Sequence, residues 1–263
     1  MDWSTSWSGR VAELLGPLSR TRPLGGGFLA EAGGRRVVVK PAAGALDEAD
    51  GLRLIASVGG APPVPQVLVA EEGLLVTSYV EQSARTAGHE ERLGAALARL
   101  HRAPWPNYGG GSSFIGAARV DPSCVDTAAD FYRARLGSLA ARCGLEADMA
   151  PVLARLDELL PPGPPSLVHG DLWWGNVLFG ADGEGWLIDP SVHGGHREED
   201  LAMLALFGPI PPRLSAAYGE LAPLEEGADE RRPLFQLYPL LVHTLLFGGH
   251  YRHEVESLAR RYR

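Results

Sequence analysis

The stretch Leu167-Val-His-Gly-Asp-Leu-Trp-Trp-Gly-Asn-Val-Leu-Phe179, continued by Gly180-Ala-Asp-Gly-Glu-Gly185 and Trp186-Leu-Ile-Asp-Pro190, decides the fold. Two short apolar runs, Val177–Phe179 and Trp186–Ile188, flank a glycine-rich hexapeptide, a pattern that predicts an antiparallel hairpin. In such a hairpin the start of the first strand lies beside the end of the second. Asn176 and Asp189 are therefore expected to be neighbours in space, with Asp171 one loop turn away.

An amide and a carboxylate side by side can hold Mg²⁺, which dehydrates reluctantly and takes one or two protein oxygens plus the phosphates of a substrate. Asp171 and Asn176 stand in the D-x-x-x-x-N spacing of a kinase catalytic loop. Asn176 and Asp189 are thus expected as metal ligands, and Asp171 as the acceptor of a proton from an incoming hydroxyl. Taken singly, each is an ordinary turn former. Their coincidence with a loop, a strand, a turn and a second strand is what points to phosphoryl transfer from ATP.

Upstream, Lys40 is the only lysine in the chain; arginine supplies every other basic side chain. A lysine kept in such a background suggests a role that needs a compact ammonium. It ends a β-branched strand, Arg35-Arg-Val-Val-Val-Lys40, that follows the turn Leu24-Gly-Gly-Gly27. In that position a lysine reaches the α- and β-phosphates and is steadied by a glutamate on the next helix. Glu48 is the natural partner, with Asp47 and Asp50 close enough to compete. Gly25, Gly26 and Gly27 would let backbone amides approach the phosphates. The exit of the strand Leu74–Tyr79, at Ser78, Tyr79 and Val80, is expected to be the hinge that reads adenine.

These segments organise into an α+β, two-lobed chain: a small β-rich lobe with one helix over residues 1–81, and a mainly helical lobe over 82–263. Helices are predicted near 46–58, 89–102, 128–143 and 149–160, and strands near 66–70 and 74–79. The Gly/Pro/Ser segment 104–116 is too long for a simple connector and is expected at the site. After the central hairpin the chain is expected to be helical to its end.

The composition fits a globular protein, with 45% apolar and 21% charged residues. A net charge of -8 argues against nucleic acid as a partner. The two cysteines, Cys124 and Cys143, read as reduced thiols. The sequence shows no export signal at its start, and its apolar runs are about half the length that spans a bilayer. A cytoplasmic monomer with no membrane partner is expected. No His/Cys spacing suggests zinc. His101 and His243 are expected to pack or cap helices, and Trp3, Trp7 and Trp105 to anchor core or loops. His193 and His196, which follow the metal carboxylate, are expected to line the site.

With these residues in place, the chain resembles the fructosamine/ketosamine 3-kinase family, within the aminoglycoside-phosphotransferase-like group of protein-kinase-like folds. His169-Gly-Asp-Leu-Trp-Trp-Gly-Asn176 is similar to that family's H-G-D-L-W-S-G-N, followed by Ile188-Asp-Pro190 and Gly195-His-Arg-Glu-Glu-Asp-Leu-Ala-Met203. The resemblance implies ATP- and Mg²⁺-dependent phosphorylation of the 3-hydroxyl of a ketosamine on a free or protein-bound amine, and hence deglycation. It implies Asp171 as base, Asn176 and Asp189 on the metal, and Lys40 with Glu48 on the phosphates. It places Trp173 in the wall of the sugar pocket, and gives His169 and Asp200 the support of the catalytic loop. The family's serine is Trp174 here, a large ring beside the base that bears on the sugar accepted. Two other readings stay open: a kinase of another small hydroxylated amine, aminoglycoside- or choline-like, and a nucleotide-binding protein without transfer activity.

Overall fold

The computed structural model describes residues 3–262, with the side chains of residues 3–6 outside the description, so the expectation for the Trp3 ring falls outside it. The chain opens with α1 (Trp3–Leu15), β1 (Leu18–Leu24), β2 (Gly27–Ala32), β3 (Arg35–Ala42), α2 (Ala45–Ser57), β4 (Val67–Glu71) and β5 (Gly73–Ser78). The strands form one antiparallel sheet in the order β1-β2-β3-β5-β4.

Strand periodicity explains how this sheet serves a site. Val37 and Val39 of β3 are buried with Trp7 and Val11 of α1, while Val38 and Lys40, one residue out of phase, face a cavity on the opposite side. Burying each valine contributes about 2 kcal/mol, so the register of β3 is strongly fixed. Leu75, paired with Lys40 across β5, packs on Ala45, Ala49 and Leu52 of α2. That packing brings α2 to the Lys40 side of the sheet.

The second part comprises α3 (Ala87–His101), β6 (Phe114–Ile115), β7 (Ala118–Arg119), α4 (Ala128–Cys143), α5 (Glu146–Ala154), α6 (Leu156–Leu159), β8 (Ser166–Val168), β9 (Val177–Phe179), β10 (Gly185–Leu187), β11 (His193–Gly195), α7 (Glu198–Leu204), α8 (Pro212–Leu221), α9 (Ala228–Phe247) and α10 (His250–Ala259). Thr86 caps α3, accepting from the His89 N–H while the His89 ring accepts from the Thr86 N–H. The α3 and α8 helices touch closely: a Cβ at Gly94 would lie 2.3 Å from the Leu214 carbonyl oxygen. No helix among the described residues is long and apolar enough to cross a membrane.

Two expectations need correction. The helix predicted at 149–160 is two helices, α5 and α6, separated at Arg155, whose φ of -107° and ψ of 7° leave the helical region. The chain after the central hairpin is not wholly helical, because β11 returns to pair with β8. The segment 104–116 is more than a connector, as expected: Pro104, Tyr108 and Gly109 bridge to Ser166, Val125 and Gly194, and the Ser112 N–H donates to the Val192 carbonyl at 2.7 Å. Backbone groups that a glycine-rich composition leaves unassigned find partners only in the folded chain.

Candidate active site

The central hairpin forms, with Val177 opposite Leu187 and Phe179 opposite Gly185. At its open end the Ile188 N–H donates to the Asn176 carbonyl at 3.1 Å, which sets Asn176 beside the backbone leading into Asp189. Asp189 has φ of 54°, a left-handed conformation that costs a non-glycine residue energy and is tolerated where the surroundings hold it. Its Oδ1 lies 3.0 Å from Lys40 Nζ, whose other partner, Glu48 Oε2, is at 2.6 Å. The competition among three acids is thereby resolved. Asp47 accepts from the Ser113 N–H at 2.7 Å, and Asp50 pairs with Arg53 at 2.9 Å.

Gly51 explains how α2 is seated. A Cβ there would meet Pro190 and Val192 at 3.1 Å, so the helix carrying Glu48 rests on the chain just beyond Asp189. Burial pushes Glu48 up to about 7 and opposes the charge on Lys40 as well. The carboxylates of Glu48 and Asp189 outweigh that burial, and Lys40 is held above its ordinary value.

Asp171 is fixed from two sides. Asn176 Nδ2 donates to the Asp171 carbonyl at 2.9 Å and to its Oδ2 at 3.2 Å, an amide orientation that leaves Asn176 Oδ1 as a free acceptor. On the other side stands Asp200, wholly buried, whose oxygens accept from the His169 N–H at 2.7 Å and the Gly170 N–H at 2.9 Å and meet His101 Nε2 at 3.0 Å. Burial opposes the Asp200 charge, but these donors outweigh it and hold the carboxyl below its ordinary value. Gly170 has φ of 79°, and a Cβ there would sit 2.1 Å from the Ser191 carbonyl oxygen, so the residue before Asp171 must be glycine.

His169 is kept neutral by burial; its Nε2 contacts the Ile188 carbonyl at 3.0 Å and its Nδ1 accepts from the Asp171 N–H at 3.3 Å. One ring thus ties Ile188, the residue before Asp189, to Asp171. Burial, and after it the charge of Asp189, push the Asp171 carboxyl up to about 7.

Two cavities meet at Lys40, Glu48 and Asp189. The first, of 340 Å³, is lined by Gly25, Gly26, Gly27, Val38, Ser78, Tyr79, Val80, Trp173 and Asn176, among others. The N–H groups of Ser78 and Tyr79 donate to Gln66 and Arg36, whereas no hydrogen bond among the described residues engages the Val80 N–H. The second, of 440 Å³, contains Asp171 and reaches Gly44, Asp47, Ser112 and Phe114. The segment 104–116 thus arrives at the base.

Three expected lining residues face neither cavity. Trp174 turns toward the core under Arg85, whose guanidinium lies 4.4 Å from the ring centroid. His193 is fully buried: its Nδ1 lies 2.8 Å from the Ser191 carbonyl and its Nε2 3.0 Å from Glu199 Oε1, and Glu199 also accepts from the Tyr132 hydroxyl. The His193 to Glu199 contact is close but does not meet hydrogen-bond geometry, so both atoms are left without a hydrogen-bond partner among the described residues. His196 stacks on Phe235 at 5.1 Å, and burial holds it below its ordinary value. The alternation of β11 and the start of α7 turn these side chains inward.

His101 is buried at the end of α3, in keeping with its expected packing role, and its ring also bridges Asp200 and, through Nδ1 at 2.9 Å, the Tyr218 hydroxyl. A histidine ending an apolar helix face was the available signal, but its partners lie far along the chain. Trp7 and Trp105 do anchor core, as expected.

The donor set fits a magnesium ion. Asn176 Oδ1 and the Asp189 carboxylate would be the two protein oxygens that such an ion takes. The crowding of Asp171 and Asp189, visible in the raised Asp171, is the negative field that a divalent cation relieves.

Comparison with known proteins shows the family and the fold. A fructosamine-3-kinase candidate from Thermobifida fusca superposes with a TM-score of 0.87 at 36% identity, over 98% of each chain. The choline kinase LicA of Streptococcus pneumoniae, at 14% identity and a TM-score of 0.65 over 100% of this chain and 99% of that one, shares the fold. A "Probable ketoamine kinase" of Thermus thermophilus is 38% identical over 78% of this chain and 77% of its own. Another, from Enterococcus faecium, is 32% identical over 82% of this chain and 81% of its own. Residues 42–262 match the model of the fructosamine kinase family, and with its protein-kinase-like α+β fold the chain belongs to that family.

Proposed function

We propose that this chain transfers the γ-phosphate of ATP to the 3-hydroxyl of a ketosamine on a free or protein-bound amine, in the cytoplasm and as a step of deglycation. The observation that carries the reading is the meeting of Lys40, Glu48 and Asp189 at the junction of two cavities, one bearing the glycine turn and strand exit and the other bearing Asp171.

In this reading the lobes divide between Glu81 and Gln82, and the first cavity takes the nucleotide. Val80 meets adenine through its free N–H, beside Ser78 and Tyr79. Gly25, Gly26 and Gly27 cover the phosphates, and Lys40, aligned by Glu48, binds the α- and β-phosphates. Asn176 Oδ1 and Asp189 hold Mg²⁺, which when bound offsets charge on the β- and γ-oxygens. Asp171 accepts the proton of the acceptor hydroxyl, and its place beside Asn176 keeps base and metal ligand in register. Asp200, His101 and His169 hold the loop, and Trp173 walls the path to the acceptor.

ATP consumption measured over a panel of ribulosamines and fructosamines, with aminoglycosides and choline alongside, tests the proposal. Turnover confined to the ketosamines, with phosphate on the 3-position by NMR, is the expected result. Turnover only on aminoglycosides or choline would favour the other amine kinases, and saturable nucleotide binding with no transfer would favour a binding protein.

A further inference from the structure

Trp173, Phe207 and Phe247 are 39%, 43% and 68% exposed, and they are the aromatic members of the large apolar side chains left open on the described surface. They are not scattered. Trp173 meets Phe207 edge to face at 5.9 Å, Phe207 lies 5.2 Å from His243, and His243 lies 5.6 Å from Phe247 and 4.9 Å from Tyr251. The rings form one strip that starts two residues beyond the candidate base and runs out over the C-terminal end of α9.

Two of the segments that build the strip carry no charged side chain: neither Leu201–Pro212, which supplies Phe207, nor Leu234–Gly249, which supplies His243 and Phe247, contains an aspartate, glutamate, lysine or arginine. Tyr251, at the outer end, stands between His250 and Arg252. A carboxylate lying along the inner rings, Trp173 to Phe207, would lose water and meet no lysine or arginine from these two segments. A hydrocarbon chain or aromatic ring would bury apolar surface there, and a protonated amine at its inner end would meet the face of Trp173. An open apolar patch continuous with a site marks a binding surface rather than a packing accident.

We infer that this strip binds the hydrocarbon carried by the acceptor's amine nitrogen, so that the chain selects ketosamines of long-chain or aromatic amines over those of small amines and of α-amino acids. The inference rests on the ketosamine reading above and names the subclass of acceptor. Trp173 lines the first cavity beside Asn176 and stands two residues from Asp171, so in this inference an acceptor whose hydroxyl meets Asp171 has its amine end toward Trp173, with the strip beyond.

The test compares kcat/KM for the ketosamines of methylamine, 4-phenylbutylamine and 2-amino-5-phenylpentanoic acid, the last two differing by a single carboxylate. The 4-phenylbutylamine adduct is expected to exceed each of the others about tenfold. In Phe247→Ala and Phe207→Ala its advantage over the methylamine adduct is expected to fall at least threefold, a ratio that general loss of folded protein leaves alone. Equal values for the three adducts, or a ratio unchanged in both variants, would overturn the inference. No transfer to any of the three, the methylamine adduct included, would overturn the ketosamine reading beneath it.

Discussion

The two walls of the cleft are built on different principles. The wall that carries Asp171 and Asn176 rests on Asp200, a wholly buried carboxylate with two backbone N–H donors and the His101 ring on it. The wall that carries Lys40 holds it by ion pairs to Glu48 and Asp189 and ends in a turn where a Cβ at Gly25 or Gly26 would meet nothing within 4 Å. A base must sit within a fraction of an ångström of the proton it takes, and buried hydrogen bonds supply that constraint. Phosphates bring their own charge and can be met by an open, adaptable backbone surface. Changes in the first wall should therefore move chemistry, and changes in the second should move nucleotide binding.

The largest effect expected is that of Asp171→Asn, which removes the proton acceptor. Its kcat should fall about 10³-fold, with the KM for ATP little changed. Lys40→Arg keeps the charge and loses the compact ammonium that fits between Glu48 and Asp189. It should lower kcat/KM for ATP about 10²-fold while thermal unfolding moves little. Asp200→Asn should cut kcat about 30-fold and cost about 3 kcal/mol in denaturant unfolding, because buried backbone donors lose a charged acceptor. A drop in kcat without loss of stability there would break the contrast between the walls.

The pH dependence sharpens it. In the free chain the Asp171 carboxyl is raised to about 7, so it is protonated below that pH and cannot accept. The kcat/KM should therefore fall about tenfold per pH unit below about 7. The stability sign is opposite to the usual carboxylate case. Asp171 favours the folded state fully below its unfolded value near 4, and that contribution is lost as pH rises through about 7. Above that pH, Asp171→Asn should raise the melting temperature of the ligand-free protein even as it abolishes turnover. The smallest effect belongs to Gly26→Ala, where the open space predicts less than a threefold rise in the KM for ATP.

How much of this was legible in the sequence follows the same division. The hairpin and the Lys40 strand announce themselves because glycine spacing and β-branched runs are local signals, and Asp171, Asn176 and Asp189 could be placed relative to one another from them. The return of β11 to β8 and the anchoring of residues 104–116 depend on pairings between distant segments that composition does not encode. Side-chain direction was the other blind spot. Trp174, His193 and His196 stand close to the site in sequence, yet the loop and β11 turn them into the interior, where Arg85, Glu199 and Phe235 receive them. His101 packs as expected, but its partners Asp200 and Tyr218 lie far along the chain and no local reading connects them to it.

Nucleotide binding and single-turnover phosphate transfer, measured together on Asp171→Asn in the presence of ATP, Mg²⁺ and a ketosamine, test the central claim most directly. Affinity for ATP within threefold of the unaltered chain, with transfer slowed about 10³-fold, is the predicted result. Transfer at an undiminished rate would show that the proton leaves by another route and that the meeting of these side chains is not the site of chemistry.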